Sequence, residues 1–259
     1  MGKNIFIGTS GYSYPHWKGV FYPTDLSSNK WLEFYARHFN VVELNVTFYR
    51  LPSKKSFENW YNKTPKNFKF VIKGSRFITH VKKLNECREP LETFFDNASG
   101  LKEKLLCVLW QLPPSFKFNL ERLDNFLKLI KNKRFPCLHS FEFRNDSWFN
   151  EETYSLLKEN NTSLCIADSP VFPRYEELTS SFIYLRLHGG KILYGSEYAE
   201  DELNSWADKT TEWLKDKKLF LAFFNNDSYG FAVKNALKFK ETLNSRQKTW
   251  GNFSDVINF

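Results

Sequence analysis

The segment that decides the fold begins with FIYLRLH at 182–188 and ends with LFLAFF at 219–224. Both runs are short and apolar, which predicts buried strands. The stretch between them carries one apolar side at helical spacing, made by Leu203, Trp206, Ala207, Thr210, Trp213 and Leu214. A strand, an amphipathic helix and a second strand in this order predict two parallel strands joined by a helical crossover.

The same alternation extends through the rest of the chain. Further apolar runs predict strands at 4–8, 41–47, 68–73, 105–112, 138–144 and 163–167. Amphipathic segments predict helices at 28–39, 54–62, 120–130 (with Asn119 as a candidate N-cap), 151–158 and from Asp227 to about Leu243. Eight strands within 259 residues predict an α/β fold, a single (β/α)8 TIM-type barrel with parallel strands, since that barrel typically takes about 250 residues. We expect one domain over 1–259, with its core at about 4–243 and a polar C-terminal tail at 244–259.

The composition indicates a large core and a basic surface. Aromatic residues make up 18% of the chain, and we expect most of them to fill the core. The 37 basic residues exceed the 29 acidic ones, and the resulting net charge of +8 would suit an anionic partner. The lysines occur as scattered pairs, however, which is typical of solvated helix surfaces. We therefore favour a small anionic ligand over nucleic acid.

The cysteines and the absence of long apolar runs indicate a compartment. Cys87, Cys107, Cys137 and Cys165 are far apart in the sequence, so their spacing fits neither a zinc site nor a disulfide framework. No apolar run reaches the roughly 18 residues that a membrane helix needs. A strand is predicted almost at the first residue, which leaves no room for a signal peptide. These features predict a cytoplasmic protein with reduced thiols and no membrane association.

In a TIM-type barrel, the loops that follow the strands build the binding site. Polar and aromatic residues are numerous at the predicted strand ends. The candidates for ligand binding are Ser10, Tyr12, Trp17, Asn45, Tyr49, Lys73, His80, Trp110, Gln111, Arg144, Arg186, Asn225, Asn226 and Asp227. The candidates for catalysis are Glu43, Glu142, Asp168 and His188.

The spacing of these residues predicts which of them share a strand face. Side chains two positions apart point to the same side of a strand. Glu43 is thus paired with Asn45, Glu142 with Arg144, and Arg186 with His188. If the apolar neighbours face the helices, all three pairs face the barrel axis, where buried charges need partners. Two interpretations stay open: internal ion pairs such as Glu142–Arg186 or Glu43–Lys73 that brace the barrel, or a ring of charges that binds a ligand, which we favour.

The candidate catalytic residues leave several chemistries open. Glu43, Glu142 and Asp168 would suit a divalent metal such as Mg or Mn, although the sequence does not establish that a metal is bound. Glu43 and Glu142 would alternatively suit acid–base work, as in glycoside hydrolysis. His80 and His188 are candidates for a general base or a metal ligand, but neither belongs to an H-x-H or H-E-x-x-H pattern.

A resemblance to a known family rests on motifs from the whole chain. They include GTSGYSYPHWKGVFYP at 8–23, VELNVTFYRLP at 42–52, FVIKGSRFITH at 70–80, VLWQLPPSF at 108–116, FEFRNDSWF at 141–149, IADSP at 166–170, YLRLHG at 184–189 and FFNNDSYGFAVKNA at 223–236. In these motifs the chain resembles the YecE-like family, known as domain of unknown function 72. The resemblance implies a TIM-barrel fold and supplies no activity. One departure is Tyr12, which stands where the family pattern suggests Trp.

The leading hypothesis is an enzyme, with a hydrolase as the favoured class, that acts on a polar anionic small molecule or a nucleotide-like ligand. Lys73, Arg144 and Arg186 would hold the anion, and a candidate carboxylate would transfer a proton with help from His188. An apolar or stacking wall would come from Tyr12, Trp17, Tyr49 and Trp110. The alternatives are a protein that binds or processes nucleic acid, and a ligand-binding barrel without catalysis.

Overall fold

The computed structural model describes residues 5–131, 136–217 and 219–254, with side chains described as far as Arg246. The strands are β1 (Ile5–Thr9), β2 (Val41–Leu44), β3 (Lys69–Lys73), β4 (Leu105–Gln111), β5 (Leu138–Glu142), β6 (Ser163–Asp168), β7 (Phe182–Leu187) and β8 (Leu219–Phe224). They are parallel and lie in the order β1-β8-β7-β6-β5-β4-β3-β2. A parallel bridge from Ser10 to Glu43 joins the two ends of this series. The predicted (β/α)8 TIM-type barrel is therefore confirmed.

Helices cover the outside of the barrel. They are α1 (Trp31–His38), α2 (Val46–Tyr49), α3 (Lys54–Asn62), α4 (Arg88–Ala98), α5 (Leu120–Ile130), α6 (Glu151–Glu159), α7 (Glu200–Trp213) and α8 (Phe231–Ser254). Asn119 caps α5 as predicted, because its side chain accepts a hydrogen bond from the Arg122 N–H at 2.9 Å. Ser53 and Asn150 cap α3 and α6 in the same way. Residues 169–181, which connect β6 to β7, contain no helix.

The prediction that the second strand reaches residue 47 is wrong. The strand ends at Leu44, and Asn45 has helical backbone angles, with φ −83° and ψ −18°. The Thr47 hydroxyl donates to the carbonyl oxygens of Leu44 at 2.9 Å and Lys73 at 2.6 Å. These bonds tie the one-turn helix α2 to the end of β3. Asn45 therefore lies outside the strand and does not share a strand face with Glu43, as the spacing had predicted.

Two helices differ from the expectation. The sequence singled out no helix between the third and fourth strands, where α4 buries Leu91, Phe94 and Phe95 against the barrel. The last helix does not end near Leu243 but continues to Ser254, so most of the predicted polar tail is helical. Arg246 donates to Asp208 at 2.7 Å, which joins this extension to α7.

The core has two parts on the two faces of the sheet. Around the barrel axis lies an apolar cluster, here called the axial cluster, of Val41, Val71, Cys107, Leu109, Cys165, Phe182, Tyr184, Leu221 and Phe223. A larger cluster fills the space between the strands and the helices, and it contains the fully buried Trp17, Trp110 and Trp148. The expectation that the aromatic residues fill the core is thus confirmed for these rings. No helix among the described residues has both the length and the apolar character that crossing a membrane requires.

Gly74, directly after β3, is held against the ring of Trp110. A methyl group at position 74 would overlap Cε3 of that ring. The ring is fully buried and packs against Phe94 and Phe126, with centroids at 5.7 and 4.9 Å, so it has little room to move. We expect Gly74→Ala to lower the free energy of unfolding by about 1–3 kcal/mol, measured by urea titration.

The matched control is Gly195→Ala. Its new methyl group would first meet a methyl carbon of the exposed Ile192 side chain, at 3.0 Å, and that side chain can turn away. We expect this substitution to change the free energy of unfolding by less than about 0.5 kcal/mol. Equal effects of the two substitutions would contradict the proposed contact with Trp110.

Candidate active site

A set of polar side chains covers the axial cluster at the carboxyl ends of the strands. Each shares its strand face with a residue that belongs to, or packs on, the axial cluster. The set, here called the polar layer, comprises Ser10, Glu43, Lys73, Gln111, Glu142, Arg186, His188 and Asn225. All of these residues were predicted site residues. The alternation of side chains along the strands therefore brings together residues from seven segments of the chain.

Arg186 lies at the centre of the polar layer. Its Nε and Nη2 donate to the two carboxylate oxygens of Glu43 at 3.1 and 2.6 Å. Its Nη1 donates to Oε2 of Glu142. All three side chains are buried, with relative exposures of 0–1%. Of the two open interpretations, the internal ion pair between Glu142 and Arg186 is present, whereas Glu43 pairs with Arg186 and not with Lys73.

The two carboxylates have further donors. The Tyr184 hydroxyl donates to Oε2 of Glu43 at 2.6 Å, and Nε of Arg144 donates to Oε1 of Glu142 at 2.7 Å. Burial acts to raise the pKa of Glu142, but Arg186 and Arg144 outweigh it and hold that pKa well below its usual range. Glu142 is therefore an anion at neutral pH and is unsuited to be the general acid of a glycoside hydrolase.

Lys73 is the charged group of the polar layer that lacks an ion-pair partner. Its side chain is 7% exposed, and no described carboxylate lies within salt-bridge distance of Nζ. The ring of Phe48 lies beside the amine, with its centroid 4.1 Å from Nζ. Burial lowers the pKa of Lys73 to about 7, Arg186 and Arg144 act in the same direction, and Glu142 opposes them. A large share of this amine is therefore unprotonated near neutral pH.

His188 also has a ring nitrogen without a hydrogen-bond partner among the described residues. Its side chain is fully buried, and Nδ1 lies 3.1 Å from the amide nitrogen of Asn225. If that amide donates, Nδ1 is the acceptor and Nε2 carries the proton. Nε2 has no hydrogen-bond partner among the described residues, although Oε2 of Glu142 lies 3.9 Å away. Burial and the positive Arg186 hold the pKa of His188 well below its usual range, so the ring is neutral.

Arg144 forms the side of the site nearest the loops. Besides its bond to Glu142, its Nη2 donates to the Tyr194 hydroxyl at 3.4 Å, and its guanidinium lies 3.9 Å from the centroid of the Phe172 ring. Nη1 takes part in none of the described hydrogen bonds. Tyr194 and Phe172 were not among the predicted site residues, because they lie in loops without strand spacing. Tyr184 was also missed, although it stands two positions before Arg186.

Buried oxygens without donors lie in the same region. The side-chain oxygens of Asn45 and Gln111 have no hydrogen-bond partner among the described residues. Asn45 donates its amide to the carbonyl oxygen of Ser10 at 3.2 Å, so it still borders the polar layer. Buried polar groups are nearly always satisfied, by protein or by a bound molecule. These atoms, together with Nε2 of His188, are available to bind a polar ligand or water.

Several predicted site residues lie around the polar layer and not in it. Asp168 has the strand parity of the helix-facing Ile166, and its carboxylate accepts hydrogen bonds from Tyr198 and Arg174, both at 2.7 Å. The Asn226 amide donates to Asn235 on α8 at 2.8 Å. The predicted ring of charges at the axis therefore does not include Asp168.

Asp227 belongs to a separate group beside the barrel mouth. Nε1 of Trp17 donates to Oδ1 of Asp227 at 2.7 Å, and Nε2 of His16 lies 3.0 Å from Oδ2. Burial raises the pKa of Asp227 to about 6, although the bond from Trp17 and the charge of His16 oppose this. Trp17 is fully buried and orients Asp227, so it is not the exposed stacking wall that the sequence predicts.

The other residues predicted to form the apolar or stacking wall lie in different surroundings. The prediction that Trp110 lines the site is wrong, because its ring faces the helices and its Nε1 donates a hydrogen bond to Nδ1 of His139 at 3.2 Å. Tyr12 is half-buried against Tyr35, and Tyr49 is 77% exposed beside Phe48. His80 contacts the same Phe48 ring, with centroids 4.9 Å apart. Burial and the charge of Lys73 lower the pKa of His80 to about 4.

The predicted carboxylate site for Mg or Mn does not fit this arrangement. Arg186 occupies the position between Glu43 and Glu142 that a cation would take. Asp168, the third predicted ligand, is paired with Arg174. The described ranges contain no group of three or more His, Cys, Asp or Glu side chains placed to hold a metal ion.

The fold and the polar layer define a TIM-barrel protein whose candidate site lies at the carboxyl ends of the strands. The family model "Protein of unknown function DUF72" matches residues 6–255, and the chain belongs to that family. The resemblance stated from the sequence is thereby confirmed.

Individual relatives agree with this assignment. UPF0759 protein YunF of Bacillus subtilis (strain 168) is 29% identical over 92% of this chain and 94% of its own length. UPF0759 protein YecE of Escherichia coli (strain K12) is 34% identical over 43% of this chain and 39% of its own length. A crystal structure of a DUF72 family protein from Thermotoga maritima MSB8 matches with a TM-score of 0.83 and 34% identity, covering 93% of this chain and 99% of that one. A second one, from Enterococcus faecalis V583, matches with a TM-score of 0.78 and 25% identity, covering 93% and 95%.

Proposed function

We propose that this protein is an enzyme that acts on a small anionic molecule in the polar layer, with hydrolysis as the first reaction class to test. The observation that carries the proposal is that some polar groups of the layer are paired with each other and others have no partner. Glu43, Glu142 and Arg186 are fully paired, whereas Nζ of Lys73, on a side chain that is 7% exposed, and the buried Nε2 of His188 have no hydrogen-bond or ion-pair partner among the described residues.

The charges of the site favour an anion. Lys73, Arg144 and Arg186 contribute three positive charges when Lys73 is protonated, and Glu43 and Glu142 contribute two negative ones, which leaves +1. A buried charge without a counterion costs several kcal/mol. An anionic ligand would supply that counterion, and Nη1 of Arg144 has donors free to hold it.

The two unpartnered groups suit acid–base catalysis. A base is most effective when its pKa lies near the operating pH, and the pKa of Lys73 is about 7. The neutral amine can take a proton from a water molecule that attacks the substrate. Nε2–H of His188 can donate a hydrogen bond to the oxygen on which negative charge develops. Glu43, Glu142 and Arg186 then hold these groups in place without reacting.

The proposal is tested with a panel of small anions, namely carboxylates, phosphate esters and nucleotides, by calorimetric titration and by turnover. We expect at least one class to bind the wild type, and Arg144→Met to weaken that binding at least about tenfold, since it removes a charge-assisted hydrogen bond. Arg174→Met is the matched control, because Arg174 pairs with Asp168 outside the polar layer. Failure of every anion to bind, or equal affinity in both variants, would overturn the proposal; binding without turnover would favour the non-catalytic barrel.

A nucleic-acid ligand is the second candidate, and the rim of the barrel favours it. Every large hydrophobic side chain exposed among the described residues lies in a segment that follows a strand. They are Val20, Val46, Tyr49, Phe77, Val81, Val171, Tyr175, Ile192 and Tyr229. Exposed arginines are the sequence neighbours of two of these aromatic residues, Arg50 of Tyr49 and Arg76 of Phe77. Rings and cations of this kind bind single strands by stacking and charge. Absence of oligonucleotide binding at about 50 mM salt would exclude this candidate.

A further inference from the structure

We propose that Lys73 is a nucleophile that forms an imine with the carbonyl carbon of a small 2-oxo acid. This inference rests on the proposed function, since it names the substrate class and a covalent step for the same site. In this step Lys73 bonds to the substrate instead of taking a proton from water. Its basis is the placement of an amine without a counterion beside an apolar ring, at the carboxyl end of a barrel strand and in the same site as an arginine that can hold a carboxylate.

The position of Lys73 is firmly set by its surroundings. The residue ends β3, and its carbonyl oxygen accepts a hydrogen bond from the Thr47 hydroxyl at 2.6 Å. Its side chain lies on the face of Val71, which belongs to the axial cluster, and is 7% exposed. The Phe48 ring covers one side of the amine at 4.1 Å. A fixed and largely dehydrated amine is the form in which a lysine side chain acts as a nucleophile.

A second buried lysine shows what a purely structural one looks like in this fold. Lys104 is 3% exposed, less than Lys73. Its Nζ donates to the carbonyl oxygens of Tyr61 at 2.6 Å and Thr64 at 2.7 Å, and to the Thr64 hydroxyl at 3.0 Å. All three protons of the ammonium group are thus used. Lys73 has no such bonds among the described residues, so burial alone does not explain its presence.

The charge state of Lys73 agrees with this role. An amine attacks a carbonyl carbon only when it is unprotonated. Burial, reinforced by Arg186 and Arg144, lowers the pKa of Lys73 to about 7, whereas Glu142 and Glu43 act against this. About half of the amine is therefore ready to react at neutral pH. An ordinary lysine, with a pKa of about 10.4, is unprotonated at that pH in fewer than about one molecule in a thousand.

The groups around Lys73 favour a substrate whose carbonyl carbon is bonded directly to its carboxylate. Nη1 of Arg144 is free of described hydrogen bonds and can hold a carboxylate, and Arg144 is near enough for its charge to act on Lys73. The guanidinium of Arg144 is itself held in place by Glu142 at 2.7 Å and by the Phe172 ring at 3.9 Å. Both ends of a compact oxo acid then have a partner.

The step balances without any oxidant or reductant. The nitrogen lone pair of Lys73 forms a bond to the carbonyl carbon, and the carbonyl π pair moves to oxygen, which takes a proton. The nitrogen loses its proton to solvent and gives a carbinolamine. The nitrogen lone pair of that intermediate then forms the C=N bond and expels the hydroxyl group, which takes up a second proton and leaves as water, and the nitrogen releases its remaining proton. The products are the imine and one water molecule, and hydrolysis of the imine restores the amine.

The test is reductive trapping with the intact protein. Glyoxylate or pyruvate is added with cyanoborohydride at pH 7, and the modified lysines are identified by peptide mass spectrometry. We expect Lys73 to be labelled at least about a hundredfold faster than the exposed Lys54, because of its larger unprotonated fraction. Buried Lys104 in the same sample is the matched control and should stay unlabelled. The labelling rate at Lys73 should rise with pH through about 7.

The outcomes separate this inference from the proposed function. Labelling of Lys73 no faster than that of Lys54 would overturn the imine step. If anions of the panel still bind and Arg144→Met weakens them, the proposed function then stands without a covalent step. Lys73→Arg serves as a second check, since it keeps a cation but should abolish the adduct. Loss of the adduct when Arg144 is replaced by Met, with labelling of Lys54 unchanged, would support the docking of the carboxylate.

Discussion

Replacement of Arg186 by methionine is expected to lower the free energy of unfolding by about 3–5 kcal/mol. Arg186 neutralises two carboxylates, Glu43 and Glu142, and all three side chains are buried. Methionine would leave both carboxylates without their main counterion, and their removal from water would then be uncompensated. Urea titration at pH 7 measures the change, and the melting temperature should fall by roughly 6–20 °C for a chain of this size.

A triple variant can show whether the loss of stability comes from unpaired buried charges or from a loss of packing. In the triple variant Glu43→Gln, Glu142→Gln, Arg186→Met, no buried charge is left unpaired at the centre, so we expect recovery of about half the lost stability or more. Arg174→Met is the surface control, because its side chain is 47% exposed, and it should cost less than about 1 kcal/mol. If the triple variant is as unstable as the single one, packing and not charge explains the role of Arg186.

Replacement of Lys73 by methionine is expected to have the opposite sign and to stabilise the protein at pH 7. The pKa of this lysine falls from 10.5 to about 7 on folding. One pKa unit corresponds to about 1.4 kcal/mol, so burial of this amine costs on the order of 5 kcal/mol at or below pH 7. Loss of the contact with the Phe48 ring offsets up to about 2 kcal/mol of this gain. We expect Lys73→Met to raise the free energy of unfolding by roughly 2–4 kcal/mol.

The pH dependence of this gain has a defined sign. Between pH 7 and 10.5 the unfolded chain holds more protons on Lys73 than the folded chain, so the wild type gains stability as the pH rises through that range. The advantage of Lys73→Met should therefore be full below pH 7 and shrink as the pH rises from about 7 toward 10.5. A stability difference that does not change with pH would show that the pKa of Lys73 is ordinary.

Lys104→Met is the matched control for this second experiment. Lys104 is also buried, but its ammonium group satisfies three oxygens of Tyr61 and Thr64. The substitution would leave those acceptors without a donor, and we expect a loss of about 1–3 kcal/mol. Opposite signs for two buried lysines would distinguish a residue kept for function from one kept for structure. Destabilisation by both substitutions would contradict the assignment of Lys73 to the active site.

Much of the fold could be predicted, because it depends on local patterns. The strand at Leu219–Phe224 and the helix at Lys54–Asn62 have the bounds that the sequence predicted. The second strand was predicted too long, because the apolar run continues past Leu44 while Thr47 turns the chain toward β3 through hydrogen bonds. The bond to Lys73 joins residues that are 26 positions apart in the sequence, and hydrophobic spacing carries no signal for it.

The candidate site was only partly predictable, for a similar reason. The predicted neighbours Glu142 and Arg144 are in contact at 2.7 Å, although the strand ends at Glu142 and does not reach residue 144 as predicted. Asp168 was grouped with them because it ends a strand, but its parity is that of Ile166, on the helix side. The same parity rule applied to Trp110 would have placed it against the helices. Phe172 and Tyr194 lie in loops, where no periodicity shows which way a side chain points.

The sequence by itself determined the class of fold, the family and the end of the barrel where the candidate site lies, since these depend on alternation, chain length and strand ends. Only the tertiary structure decided which charged groups pair with each other. It paired Arg186 with both glutamates, and left Lys73 and Nε2 of His188 unpartnered among the described residues. The physical reason is distance: a charge in the barrel is neutralised by whichever opposite charge closure of the sheet brings within about 3 Å. Those partners here are separated by more than 40 residues in the chain.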